Sequence, residues 1–174
     1  MEFNSFAAFA MHLSTLDPKV ERAMKESLEK IGKHVEKVAK SEFGMYQPAV
    51  GPFKAWEELS PVTKKDRVDK GFTPNDPLLR SGKLRESIGH KVDGHTVVIG
   101  STDEAMVTQE LGGYLTDRNG NKHVVPPRSV LGPSVIRSEK FIKETAGHAT
   151  VSALLPPGSL VPHGPAESDY SFGI

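Results

Sequence analysis

The sequence predicts a domain that mixes helices with a small antiparallel sheet, and three observations carry that reading. Apolar residues recur at Val20, Met24, Leu28, Ile31, Val35 and Val38, a spacing of three and four that places them on one helical face. The dipeptide Asp93-Gly94 lies between two short runs, the second of which, Thr96-Val97-Val98-Ile99, is rich in β-branched residues. A further helical pattern follows Pro133. One apolar stripe on one long helix needs a cover, and a sheet is the simplest one.

The elements follow in chain order. Residues 1–16 read as an arm or first helical turn, with an apolar patch (Phe3, Phe6, Ala7, Ala8, Phe9, Ala10) and no basic segment of the kind that opens a signal peptide. Asp17 is a good N-cap and Pro18 suits a first helical position, so the long helix is expected to start there and to run to about Phe43, before Gly44. Glu21 with Lys25, Glu26 with Lys30 and Glu29 with Lys33 stand at contact spacing on its polar face. Residues 44–55 hold Gly44, Pro48, Gly51 and Pro52 and read as loop. Ser60-Pro61 starts a short helix that fades at Gly71. Residues 71–77 are loop again, and Ser81–Ser87 is a further helical turn.

The hairpin should run from Ile88 to Val92, turn at Asp93-Gly94, and return from His95 to Gly100. A short helix from Asp103 to Leu111 follows, capped by Ser101 or Thr102 and ended by Gly112-Gly113. Residues 114–122 read as strand or loop around Asn119-Gly120, and His123-Val124-Val125 as a short strand that Pro126-Pro127 terminates. Ser134 caps a last helix, Val135–Ala146, ended by Gly147. Residues 148–174, with four prolines, read as a flexible tail.

Composition narrows the function. The 174 residues suffice for one domain with a core plus tails. With 22 basic and 22 acidic residues the net charge is zero, which disfavours nucleic acid as the main ligand. Cysteine is absent, so there is no disulfide, thiolate metal site or cysteine nucleophile. No apolar run is long enough to cross a bilayer, and no membrane partner is expected.

Candidate chemistry is sparse. Seven histidines form no HExxH-like cluster; His90 and His95 flank the hairpin turn, as an exposed pair or, with His123, as a metal site. Ser81-Gly82-Lys83 lacks the first glycine of a phosphate loop, since Pro77 stands there. Ser101 lacks the G-x-S-x-G pattern. No catalytic residue, metal or cofactor is therefore expected. Lys64, Lys65, Arg67, Lys70, Arg80, Lys83 and Arg85 are the one local excess of positive charge, facing nucleic acid, an acidic partner or only solvent. Arg128, among prolines, suits either a structural latch or a partner contact. Trp56, the only tryptophan, is either a core plug or an interface anchor.

Five blocks in fixed order add something that composition does not. They are Trp56-Glu57-Glu58-Leu59-Ser60-Pro61-Val62-Thr63, the run from Pro77 to Ile88, Val98-Ile99-Gly100-Ser101, Gln109-Glu110-Leu111-Gly112, and Pro126-Pro127-Arg128-Ser129-Val130-Leu131-Gly132. Over residues 17–147 the chain resembles the tail-completion and virion-morphogenesis proteins of tailed bacteriophages. Val130 departs from the family's usual phenylalanine. The resemblance implies an α+β fold, with a small, mainly antiparallel sheet packed against a long N-terminal helix and a C-terminal helix. It implies a virion structural protein that completes the tail or joins it to the head, working in the virion and, during assembly, in the host cytoplasm. Its partners would be copies of itself in a ring, a hexamer, together with tail-tube and head–tail connector proteins, with DNA passing through the ring. Loops 44–55 and 71–77 would gain order on assembly. Contacts are expected from Trp56, Lys64, Lys65, Arg67, Arg80, Lys83 and Arg128. The alternative is a nucleic-acid-binding module using residues 64–85.

Overall fold

The computed structural model describes residues 5–116, 120–155 and 164–166. In chain order they form α1 (Phe6–Ser41), α2 (Pro61–Asp69), α3 (Lys83–Glu86), β1 (Ile88–Asp93), β2 (Thr96–Ser101), α4 (Ala105–Leu111), β3 (Gly113–Thr116), β4 (Lys122–Val125), α5 (Leu131–Arg137) and α6 (Glu139–Leu154). The α+β class holds. The strands form two separate two-stranded sheets, β1–β2 and β3–β4, rather than one.

The residues fall into two compact units. The first comprises residues 1–33, 91–98 and 139–174. Within it, Val20, Met24, Leu28 and Ile31 of α1 and Ala146, Ala149 and Ala153 of α6 line an apolar cleft of about 240 Å³. The expected stripe is therefore the buried face of α1, and Glu29 pairs with Lys33 on its polar side at 3.4 Å. Ile31, Phe141, Thr145 and Ala153 are buried.

The second unit, residues 34–90 and 99–138, carries the blocks apart from Val98. Its core is Ala39, Phe43, Trp56, Ile88, Met106 and Val130, with Tyr46, Leu78, Leu79, Leu84 and Leu131 packed around it. Burying the larger of these side chains stabilises by roughly 1.5–3 kcal/mol each. Val130 is fully buried, so the valine at that position fills a core site.

Five boundaries differ from expectation, among them the start of the last helix, which lies at Leu131 with Ser134 inside it rather than after a Ser134 cap. Helix α1 starts at Phe6, eleven residues before Asp17 (17 − 6), and Pro18 lies inside it. Proline costs one backbone hydrogen bond, and the helix continues through it, with the Ser14 hydroxyl donating to the Met11 carbonyl one turn earlier. The hairpin turn is Gly94-His95, one residue later than predicted. Gly94 has φ +54°, as the first loop position of a type II′ turn requires, and Asp93 stays in the strand. The final helix is broken at Ser138 into α5 and α6. It then runs through Gly147 to Leu154, so residues 148–154 are helix and not tail. The remainder of the expected tail lies outside the described residues, apart from 155 and 164–166.

The expected start at Ser60-Pro61 is found. The Ser60 hydroxyl accepts from the Thr63 amide at 3.2 Å, and α2 ends in a Schellman motif, with Phe72 N–H on the Arg67 carbonyl and Gly71 N–H on that of Val68. Loops 44–55 and 71–77 are already tied within the single chain. Gly44 N–H donates to the Pro77 carbonyl at 2.9 Å, and the Tyr46 hydroxyl donates to Asn75 Oδ1 at 2.8 Å.

Candidate assembly surface

The sequence blocks build a latch that faces inward. The Trp56 ring is buried and its Nε1–H donates to the Ser129 carbonyl at 3.1 Å. The Arg128 guanidinium, also buried, donates from Nη2 to the Glu57 carbonyl at 2.9 Å and to that of Glu58 at 3.4 Å. Its own amide donates to the Gln109 carbonyl at 2.6 Å. Burial draws this guanidinium's pKa down, while Tyr46 and Glu57 oppose the shift. A planar fork serving two consecutive carbonyls is a task for arginine rather than lysine.

Glu110 completes the latch. Its carboxylate accepts from the amides of Val130 at 2.8 Å, Leu131 at 3.2 Å and Gly132 at 3.2 Å. These are the unpaired donors at the start of α5, where a negative charge is favoured. The Ser129 hydroxyl donates to the Glu110 carbonyl at 2.8 Å. Two glycines are required here by space. A Cβ at Gly112, where φ is +74°, would stand 3.0 Å from the Val125 carbonyl, and one at Gly132 would enter the Phe53 ring.

The basic stretch is tied up in the same way. Arg67 is buried, donating to the carbonyls of Thr73 and Leu79, each at 2.7 Å. Lys64 pairs with Glu58 at 3.0 Å, Lys65 with Asp69 at 3.4 Å, and Lys70 with Asp66. Arg80 reaches Asp66 at 3.2 Å and lies over the Phe72 ring at 5.0 Å. Lys83 is exposed on α3. Of the seven residues expected at contacts, Trp56, Arg67 and Arg128 thus point inward, and three of the remaining four balance an acid of their own chain.

His90 is not part of an exposed hairpin pair. Its Nδ1 sits 2.5 Å from Glu36 Oε2 on α1, and the Glu36 carboxyl is held below the usual range by its hydrogen bond from Lys40, with His90 adding to the effect. No group of three metal-ligating side chains occurs among the described residues. One carboxyl is shifted far: burial pushes Glu42 up to about 7, against the pull of Arg137, whose guanidinium contacts it. Desolvation prevails there because Glu42 Oε2 has no partner among the described residues.

Large apolar side chains point outward on the adjoining elements. On α4, Val107 is 61% and Leu111 75% exposed; on β3 and β4, Tyr114 and Val124 are each 72% exposed. Tyr114 and Val124 are cross-strand partners, in a register that pairs Gly113 with Val125 and Thr116 with Lys122. Beside α4, an open hollow of about 400 Å³ is lined by Met106, Val107, Leu111 and Leu131. Among the described residues the ribbon is a sheet of two strands only, which is marginal by itself, and contiguous exposed apolar surface marks interaction sites. Sequence reasoning missed these four residues. The i, i+4 spacing of Val107 and Leu111 was visible, but which face of a seven-residue helix turns outward depends on packing.

No helix among the described residues is long and apolar enough to cross a membrane. No curated protein and no solved structure matches the chain. Residues 5–148, covering α1, the latch, the ribbon and the first part of α6, match the model of the phage virion morphogenesis family, and the chain belongs to that family, with a role in building phage particles.

Proposed function

We propose that this protein completes the phage tail or joins it to the head, and that it does so by self-association into a closed ring. The observation that carries the reading is the exposed apolar surface of α4 and the β3–β4 ribbon, in a chain of a virion morphogenesis family. Identical copies closing a ring would cover such a surface. The buried and paired charges suit a building block with no catalytic task, held in the virion after assembly in the host cytoplasm. Tail-tube and connector proteins are its proposed neighbours.

Deletion of the gene tests this. Electron microscopy of the lysate should show heads and tails made but not joined. Infectious particles at normal yield from a clean deletion would contradict it. The nucleic-acid alternative has less support, because Arg67 is buried and Lys64, Lys65, Lys70 and Arg80 pair with acids of the same chain. A gel-shift titration with a steep salt slope at physiological salt would revive it.

A further inference from the structure

The two exposed apolar features are complementary in charge. The hollow along α4 has an apolar floor, its rim carries Asp103, Glu104 and Glu110, and no lysine or arginine lines it. Glu110 serves the start of α5, and Asp103 Oδ1 accepts from the Ala105 amide at 2.9 Å. Glu104 is the exposed acid of the rim.

The ribbon has the opposite character. Side chains two apart along a strand share a face. Tyr114 and Val124 therefore share theirs with Thr116 and Lys122. Neither strand contains an acidic residue. The face is apolar next to α4 and basic at its far end, where Lys122 is exposed.

We infer that the Tyr114–Val124 face of one copy seats in the α4 hollow of a second copy of this chain, with Lys122 against Glu104 of that copy. The inference rests on the self-association proposed above and names the surfaces that make it. A second copy is the occupant because one chain carries both halves of the match, an acid-rimmed apolar hollow and an apolar ribbon with a basic end. An acidic rim repels nucleic acid and anionic lipid. Burying the apolar pair would supply the attraction, and the charge pair would set the register.

The chain has no cysteine, so cross-linking is clean. The double variant Glu104→Cys with Lys122→Cys is expressed from a plasmid in a host carrying the gene-deleted phage, and both the soluble protein and purified particles are oxidised. Circular dichroism and thermal melting, compared with the parent chain, establish that the variants fold. The contact predicts covalent species of two or more chains from the double variant, well above the amount from either single variant. A dimer or a ladder supports the contact, and a ladder also agrees with a ring. Only monomer, a closed monomer, or equal cross-linking by the single variants would overturn it. Blotting the particles separates this from the functional reading. Chain present in particles but uncross-linked refutes the contact alone, whereas cross-linking in solution with no chain in particles refutes the virion role alone.

Discussion

The latch around Trp56 and Arg128 and the apolar rim of α4 and the β3–β4 ribbon belong to one unit and treat their side chains in opposite ways. At the latch, polar groups lie inside: Arg128 at 6% exposure, Arg67 at 5%, and the Glu110 carboxylate on three backbone amides. At the rim, Leu111, Tyr114 and Val124 lie outside, each more than 70% exposed. Buried polar groups hold loops that have no ladder to hold them, so the latch secures the fold of the single chain. Exposed apolar groups add little to that fold, and in the proposed ring another copy would cover them. The blocks that identify the family are thus mostly architecture, while the exposed rim takes in Leu111 of the fourth block and continues on the ribbon between the blocks.

Disrupting the latch should have the largest effects. Trp56→Ala should cost about 3–5 kcal/mol, the usual loss for emptying a buried indole site, and here it also removes the bond to Ser129. Chemical denaturation reads this directly, and a loss under 1 kcal/mol would mean that the indole is not a core plug. Arg128→Ala should follow at roughly 2–4 kcal/mol, because the carbonyls of Glu57 and Glu58 lose a charged donor. Arg128→Lys should recover little of it, since a point charge cannot reproduce the fork. Glu110→Gln should cost about 1 kcal/mol, in the range of a lost helix cap, and should loosen α5 in hydrogen exchange.

Acidity probes the same inward region. Unfolded, the Glu42 carboxyl titrates near 4.5; folded, burial pushes it up to about 7. Between those values the folded chain keeps a proton that the unfolded chain has released, so stability should fall as pH rises through that window. Glu42→Gln should flatten the slope, and an unchanged slope would assign it elsewhere. Glu36 has the opposite sign. Its carboxyl is lowered by Lys40 and His90, so its contribution is present above the unfolded value and lost only at more acid pH.

Much of the fold was legible because its signals are local. Ser60-Pro61 starts α2 as capping chemistry dictates, and the apolar stripe of α1 is its buried face. The failures occurred where a local signal was outweighed. Asp17-Pro18 looks like a helix start, but a helix already under way tolerates one proline. Gly147 costs a helix only about 1 kcal/mol, and Phe141, Thr145 and Ala153 bury more than that on either side of it. The turn shifted by one residue because glycine takes the first position of a type II′ turn. The site was less legible. The sequence offered Arg128 and Trp56 as either inward or outward, and only long-range packing decides between them. The outward set, Val107, Leu111, Tyr114 and Val124, is compositionally ordinary, and its exposure is a property of the fold.

At the rim the expected effect on the single chain is smallest. Leu111→Ser and Tyr114→Ser should change stability by no more than about 0.5 kcal/mol, as for other exposed sites. The most direct measurement therefore pairs two readouts on Leu111→Ser: its thermal midpoint, and the titre of infectious particles when it complements a gene deletion. The expected result is an unchanged midpoint with a collapsed titre, heads and tails accumulating apart. A titre equal to that of the parent chain would contradict it, because the rim would then be exposed without being used.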